Sequence, residues 1–162
     1  LSGVIVVENV GRVRVMTDPQ GAVFALFEPA SDAGPDVAPT TGHASWHELY
    51  ANDAESALAF YTEMFGWTVS SAMDMGPMGK YHIFGRGGRD IGGIMTKPKE
   101  MAQVPPAWNI YFSVPNVHEA VARVKANGGQ VLNGPMDVPG GDEIVNCMDP
   151  QGGAFSLHAR KA

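Results

Sequence analysis

The sequence predicts an α+β fold in which a βαβββ unit occurs twice. The stretch "WHELYANDAESALAFYTEMFGW" aligns with "NIYFSVPNVHEAVARVKANGGQV" at a constant offset of 63 positions, so that Ala57 falls on Ala120 and Gly66 on Gly129. Each copy contains one run with the apolar spacing of an amphipathic helix. Short apolar runs typical of strands surround each helix, including "YHIFG", "GGIMT", "QVLNG" and "EIVNC".

Both helices are predicted from their end signals as well as from their spacing. Asp53 and Asn116 each precede a helical pattern, and Asp and Asn are favoured N-cap residues because their side chains accept hydrogen bonds from first-turn N–H groups. Gly66 ends the first pattern and the pair Gly128-Gly129 ends the second, as glycine commonly does after a helix.

Composition restricts the class of protein. The chain has 162 residues, 44% of them hydrophobic and 17% charged, and a formal net charge of −6. No basic cluster offers a nucleic-acid surface, and no apolar run approaches the roughly 18 residues of a membrane span. This favours a small molecule or another protein as the partner. The single cysteine, Cys147, excludes an internal disulfide and fits a reducing compartment, so we expect a cytoplasmic protein.

The sequence Asp-Pro-Gln-Gly occurs twice, beginning at Asp18 and again 131 positions later at Asp149. Asp, Pro and Gly at the first, second and fourth positions are typical of a type I turn, and strand-like runs flank both copies. Each copy is therefore predicted to be the tip of a β-hairpin. The segment between Pro29 and His43 concentrates Pro, Gly, Ser, Thr and Asp, and is predicted to be a linker.

The two βαβββ units, with "AFYTEMFGW", "ARVKANGGQV" and the closing "DPQGGAFSL", resemble the vicinal oxygen chelate superfamily of glyoxalases, bleomycin-resistance proteins and extradiol dioxygenases. The resemblance implies that residues 44–162 are one complete glyoxalase-like module, with halves at about 44–98 and 106–158. It also implies that the paired units form a cup-shaped mixed β-sheet with the helices on the outside.

The N-terminal part then resembles the end of a second such module. Residues 1–29 look like the C-terminal strands of a truncated upstream module of the two-module bacterial type, and residues 30–43 like the linker. Strands without a helix of their own expose an edge and an apolar face. We therefore expect residues 1–29 to pair with the edge of the 44–158 region or with a second chain, and we expect a homodimer or association through these strands.

Metal-using members of this superfamily place ligands on the first and last strand of each half. The resemblance carries those positions onto Trp46, Gly93, Asn109 and Ser156. Gly lacks a side chain, Trp offers only an N–H donor, and neutral Asn and Ser oxygens are weak ligands for transition metals. We therefore expect neither a metal nor another cofactor.

Strand alternation identifies the residues that would line the predicted cup. If Trp46 faces it, so do Glu48 and Tyr50, while His47 packs behind. The remaining predicted ligand-binding residues, on the later strands, are Met95, Asn109, Tyr111 and Ser156. Such a lining, apolar and aromatic with a few polar groups, suits a small-molecule pocket.

Glu48 and His158 are the candidate catalytic residues. Glu48 would serve as a general base or bind a cationic ligand; the alternative is a carboxylate that reaches water at the rim or pairs with an Arg. His158, two residues after Ser156, would act with Glu48 as a proton donor; the alternative is a half-exposed histidine at a strand end.

Three functions follow from these residues. The first is a metal-free protein of the glyoxalase and bleomycin-resistance type that binds an apolar or aromatic small molecule. The second is a glyoxalase-like lyase or isomerase in which Glu48, with His158, transfers a proton. The third, a metal-dependent lyase or dioxygenase, is disfavoured by the residues at the four ligand positions.

Overall fold

The structure is a computed structural model that describes residues 3–32, 34 and 37–160. In chain order its α-helices and strands are β1 (Ile5–Val7), β2 (Gly11–Thr17), β3 (Val23–Pro29), β4 (Ala44–Ala51), α1 (Ala54–Phe65), β5 (Thr68–Asp74), β6 (Lys80–Arg86), β7 (Arg89–Thr96), β8 (Ala107–Ser113), α2 (Val117–Ala126), β9 (Gln130–Asp137), β10 (Glu143–Met148) and β11 (Ala154–Ala159). Two βαβββ repeats are therefore present, as predicted.

The chain divides into two compact units. The first unit contains the described residues up to Val37 and Leu49–Trp108, and the second contains Ala38–Glu48 and the residues from Asn109 onward. Strands β4 and β8 contribute residues to both units. The N-terminal strands thus share a unit with α1 and β5 to β7.

Helix α1 of the first unit begins and ends at the predicted residues. The Asp53 side chain accepts hydrogen bonds from the backbone N–H groups of Glu55 and Ser56. Gly66 ends the helix in the left-handed conformation, with a φ of 64°. Its buried face packs in the core of this unit and consists of Ala54, Ala57, Leu58 and Tyr61.

The three N-terminal strands form an antiparallel sheet of their own, in the order β1-β2-β3. The expected pairing with the edge of the 44–158 region is therefore not observed among the described residues. Instead, Phe24 of β3 packs edge-on against Tyr61 and Phe65 of α1, with ring centroids 5.8 and 6.2 Å apart. The N-terminal sheet therefore contacts α1 through the face that carries Phe24 and not through a strand edge. Burying aromatic side chains against a helix is favourable even where no backbone hydrogen bonds form between strands.

The first Asp-Pro-Gln-Gly turn joins β2 to β3 and also contacts α1. Within the turn, Asp18 Oδ1 accepts from the N–H groups of Gln20 and Ala22, and Asp18 Oδ2 accepts from the Tyr61 hydroxyl at 3.1 Å. The Gln20 side chain donates to the Asp53 carbonyl and to Ser56 Oγ, and accepts from the Asp53 N–H. This hairpin tip therefore covers the amino end of α1.

The other strands of the first unit are hydrogen-bonded in the order β5-β6-β7-β4. The hairpin between β6 and β7 turns at Gly87 and Gly88, whose φ angles of 60° and 79° favour glycine. Trp67 stacks on Phe84 with ring centroids 4.3 Å apart, and this pair extends the aromatic core around Tyr61.

The strands of the second unit are hydrogen-bonded in the order β4-β8-β11-β10-β9. Strand β11 pairs with β8 in parallel and with β10 in antiparallel orientation. Helix α2 is N-capped by Asn116, as predicted, and packs over Val145, Cys147 and Leu157. Its apolar side and the buried side of β10 and β11 form the core of this unit.

Within the described residues, none of the helices has the length and apolar character needed to span a lipid bilayer.

The two turns offer a matched test of the contact between the N-terminal hairpin and α1. Replacing Gln20 with alanine removes three hydrogen bonds to the amino end of α1, so we expect a loss of about 1 kcal/mol in the free energy of unfolding, measured by urea denaturation. Gln151→Ala, at the equivalent exposed position of the second turn, should change that free energy by much less. Equal effects of the two substitutions would contradict this role for Gln20.

Candidate functional site

Three neighbouring strands of the second unit align polar side chains in one row. Parallel pairing places Tyr111 of β8 opposite Ser156 of β11, and antiparallel pairing places Asn146 of β10 opposite the same Ser156. Directly opposed residues point to the same face of a sheet, so these three side chains meet. Asn109, two residues before Tyr111 on β8, points to that face as well.

Hydrogen bonds join this row to Glu48 of β4. The Tyr111 hydroxyl donates to Glu48 Oε2 at 2.8 Å. Ser156 Oγ accepts from Asn109 Nδ2 at 2.8 Å and from Asn146 Nδ2 at 2.7 Å. We call these five residues (Glu48, Asn109, Tyr111, Asn146 and Ser156) the polar cluster.

The polar cluster is buried. Ser156 has no exposed surface, Tyr111 is 2% exposed and Glu48 is 6% exposed, whereas Asn109 and Asn146 are half-buried. Burying polar groups costs free energy unless they are hydrogen-bonded, and burying a carboxylate costs most of all. The hydrogen bonds within the cluster therefore offset the free-energy cost of removing these polar groups from water. Apolar residues at the same positions would not have that cost.

Tyr111 keeps its proton in this environment. Burial raises the pKa of the Tyr111 hydroxyl far above its ordinary value, and the neighbouring Glu48 carboxylate raises that pKa further. A neutral phenol next to a carboxylate is a hydrogen-bond donor, so Tyr111 is the donor and Glu48 the acceptor.

His158 lies on β11, as predicted, but its described contacts are with residues other than Glu48. His158 Nε2 lies 2.8 Å from Asp142 Oδ2, and Nδ1 lies 3.2 Å from Ser45 Oγ. Both ring nitrogens thus have partners within the second unit. The proposed joint action of Glu48 and His158 stays a prediction.

The other predicted ligand-binding residues divide between the two units. Trp46 lies on the β4 segment of the second unit and is half-buried. Tyr50 and Met95 lie in the first unit, where Tyr50 is half-buried and Met95 is 7% exposed. The polar cluster itself includes three of the six predicted ligand-binding residues, together with Glu48.

The residues at the four metal-ligand positions do not fit a metal site. Asn109 and Ser156 are hydrogen-bonded to each other, and Trp46 has no lone-pair donor for a metal. At Gly93, a Cβ atom would lie only 2.1 Å from the Tyr81 ring, so no liganding side chain fits there unless Tyr81 moves. Across the described residues, moreover, no group of three or more His, Cys, Asp and Glu is placed to hold a metal ion.

Sequence reasoning missed Asn146. A signal was present, because Asn146 is a polar residue between Val145 and Cys147, both fully buried on the helix side of β10. Alternation therefore directs Asn146 to the opposite face. The contact between Asn146 and Ser156 also requires β11 to lie beside β10. Alternation along a single strand does not predict which strands are neighbours.

Comparison with known proteins agrees with the predicted family. A family model of the Glyoxalase/Bleomycin resistance protein/Dioxygenase superfamily matches residues 40–157. "Putative glyoxylase CFP32" of Mycobacterium tuberculosis is 35% identical over 149 residues, which are 92% of this chain and 56% of that protein. Anthracycline biosynthesis protein DauV of Streptomyces sp. is 31% identical over 153 residues, which are 92% of this chain and 53% of that protein. The chain thus spans about half the length of the curated relatives it matches.

Solved structures share the fold at low sequence identity. Hypothetical protein BH1468 from Bacillus halodurans superposes with a TM-score of 0.62 at 16% identity, over 76% of this chain and 97% of that one. Methylmalonyl-CoA epimerase of Streptomyces coelicolor superposes with a TM-score of 0.60, also at 16% identity and with the same coverage. The predicted glyoxalase-like α+β fold is confirmed, and the chain belongs to the glyoxalase/bleomycin resistance protein/dioxygenase superfamily.

Proposed function

We propose that this chain is a metal-free small-molecule-binding protein of the glyoxalase and bleomycin-resistance type. The ligand is apolar or aromatic and binds against the face that carries the polar cluster. The observation that carries the proposal is the hydrogen-bonded cluster of Glu48, Tyr111, Asn146, Ser156 and Asn109. Asn109 and Ser156 stand at two of the positions that the family resemblance assigns to metal ligands.

The chemistry of the cluster supports a binding role. Small-molecule sites combine apolar surface with a few fixed polar groups that orient the ligand. Tyr111 and Glu48 are positioned by hydrogen bonds and by neighbouring strands, so they would meet a ligand without rearranging. A sheet that only needed to pack would gain more free energy from apolar residues at these positions.

The names of the relatives are compatible with a small organic ligand. One relative is named for glyoxylase activity and another for anthracycline biosynthesis, and anthracyclines contain fused aromatic rings. This chain spans about half the length of those proteins. Their names therefore support a small organic ligand but do not identify it.

A thermal-shift screen in the presence and absence of a chelator tests the proposal. Aromatic and aliphatic compounds that bind should raise the melting temperature equally with and without EDTA, because no metal takes part. A ligand at 100 times its Kd adds about 2.7 kcal/mol to the free energy of unfolding. Loss of every ligand-induced shift on chelation, or a stoichiometric transition metal by elemental analysis, would overturn the metal-free proposal.

A second candidate function is proton transfer by Glu48. It is favoured by the placement of a carboxylate with 6% exposure beside the Tyr111 hydroxyl, a pair able to accept a proton and to donate a hydrogen bond. The methylmalonyl-CoA epimerases that share the fold are isomerases, which agrees with this chemistry at the level of the fold. His158, held by Asp142, is the proposed proton donor.

Isotope exchange tests this second function. If Glu48 is a base, 2-substituted acyl thioesters should exchange the hydrogen next to the carbonyl for deuterium, as followed by NMR in heavy water. Glu48→Gln should then lower the exchange rate by about 10²- to 10⁴-fold. Glu119→Gln removes the same charge from an exposed position on α2 and serves as the control. Exchange that survives in Glu48→Gln would eliminate Glu48 as the base.

Alkaline titration tests the protonated state of Tyr111. An unfolded chain releases the tyrosine proton near pH 10, whereas the raised pKa means that the folded protein retains it. Below that pH both states carry the proton; above it the unfolded state binds fewer protons, so the stability contribution is lost as pH rises. We expect the free energy of unfolding to fall above about pH 10, and to fall less steeply in Tyr111→Phe. Identical slopes for the two proteins would show that Tyr111 titrates normally.

Two further predictions concern the setting of this function. We propose that the protein acts in the cytoplasm, and that it associates as a homodimer or through its N-terminal strands. Several large apolar side chains of the β1-β2-β3 sheet are exposed, including Val6 at 72% and Phe27 at 55%, which supports association there.

A further inference from the structure

The hydrogen bonds of the polar cluster run in one direction. Asn109 and Asn146 donate to Ser156, and Tyr111 donates to Glu48. Asn146 Nδ2 also lies 3.5 Å from the Tyr111 hydroxyl oxygen, in the same donating sense. The sequence of donors therefore ends on a carboxylate, and an ionised carboxylate only accepts hydrogen bonds.

This direction restricts what a ligand can bring to Glu48. A ligand group that only accepts hydrogen bonds, such as a carboxylate or an ether oxygen, would find a second acceptor and a negative charge. A ligand group that carries N–H or O–H bonds continues the chain by donating to the carboxylate. Reversing the chain would require Tyr111 to turn its proton away from Glu48, which costs a charge-assisted hydrogen bond.

Charge favours a cationic donor over a neutral one. The described ion pairs of the second unit join His118 to Glu143 and His158 to Asp142, and none of them includes Glu48. The partner of Glu48 in that unit is instead the neutral Tyr111 phenol. A buried carboxylate that lacks a positive partner is costly, and a ligand that supplies the positive charge recovers part of that cost.

We propose that the ligand of the polar cluster contains a protonated amine, which donates a hydrogen bond directly to the Glu48 carboxylate. This inference rests on the proposed small-molecule-binding function and specifies its ligand class: an apolar or aromatic body with one basic nitrogen. Glu48 is then the residue that selects for charge, and Tyr111 is the positioning residue that holds the carboxylate.

Three probes with the same ring and different charge test the proposal. Benzylamine, benzyl alcohol and benzoate are titrated into the whole chain at pH 7 by isothermal calorimetry, together with their naphthyl analogues. We expect the amines to bind about tenfold more tightly than the alcohols, as a charge-assisted hydrogen bond predicts, and the carboxylates not to bind. This comparison uses the unsubstituted protein and needs no variant to fold.

Matched variants then locate the preference. Glu48→Gln keeps the shape but removes the charge, so the amine and alcohol affinities should become equal. Glu119→Gln removes a charge from exposed surface and should keep the tenfold preference. Tyr111→Phe removes the donor but keeps the carboxylate, so the amine should still be preferred.

The outcomes separate the two proposals. Alcohols that bind as tightly as amines, preferred carboxylates, or an amine preference that survives in Glu48→Gln would overturn the ligand class while leaving small-molecule binding intact. If none of the six probes binds and the wider screen also gives no thermal shift, the binding function itself fails and the ligand class fails with it.

Discussion

The parallel pairing of β11 with β8 is the constraint on which the candidate site depends. It places Ser156 opposite Tyr111, and the antiparallel β10–β11 pairing then adds Asn146 to the same row. Shifting this register by one residue would send Ser156 into the helix-side core and bring Phe155 or Leu157 to the polar face. A polar residue in the core would lack hydrogen bonds, and an apolar residue in the cluster would leave its polar neighbours without a partner. The shifted register is therefore less stable than the observed one.

The repeated Asp-Pro-Gln-Gly turn performs the same local task in two surroundings. In both copies one oxygen of the Asp accepts two backbone N–H groups and closes the turn, at Asp18 and at Asp149. At Asp18 the second oxygen also accepts from the Tyr61 hydroxyl, and Tyr61 in turn accepts from Trp108 Nε1. The first turn is therefore part of the core of the first unit. The described hydrogen bonds of the Asp149 side chain stay within its own turn.

Much of the fold was predictable because the signals are local. Helix ends at Asp53, Gly66 and Asn116 depend on capping chemistry within a few residues, and both hairpin tips depend on turn residues. The docking of the N-terminal sheet on α1 was not predicted. Isolated strands usually pair through their edges, which is why edge pairing was expected. The observed contact instead joins Phe24 to aromatic residues of α1, which are distant in the sequence. A short-range sequence pattern does not predict such a contact.

The site was predicted in part for the same reason. The family resemblance placed Asn109 and Ser156 in the predicted cup, and alternation within each strand then added Glu48 and Tyr111. The Tyr111–Glu48 hydrogen bond, the inclusion of Asn146 and the pairing of His158 with Asp142 all depend on how strands are ordered and spaced. The order and register of strands in a sheet cannot be predicted from the pattern of one strand.

The electrostatics of the cluster depend on a single buried carboxylate, Glu48. Several buried charges of one sign would each need a partner, and a buried charge left without one is costly. On β8 and β11, the positions that the family resemblance assigns to metal ligands are occupied by neutral residues. These residues, Asn109 and Ser156, are hydrogen-bonded to each other. One carboxylate, Glu48, remains, and hydrogen bonds from neutral donors stabilise a single buried charge more readily than several. Under the proposed function, this single carboxylate at a fixed place favours one orientation of the ligand.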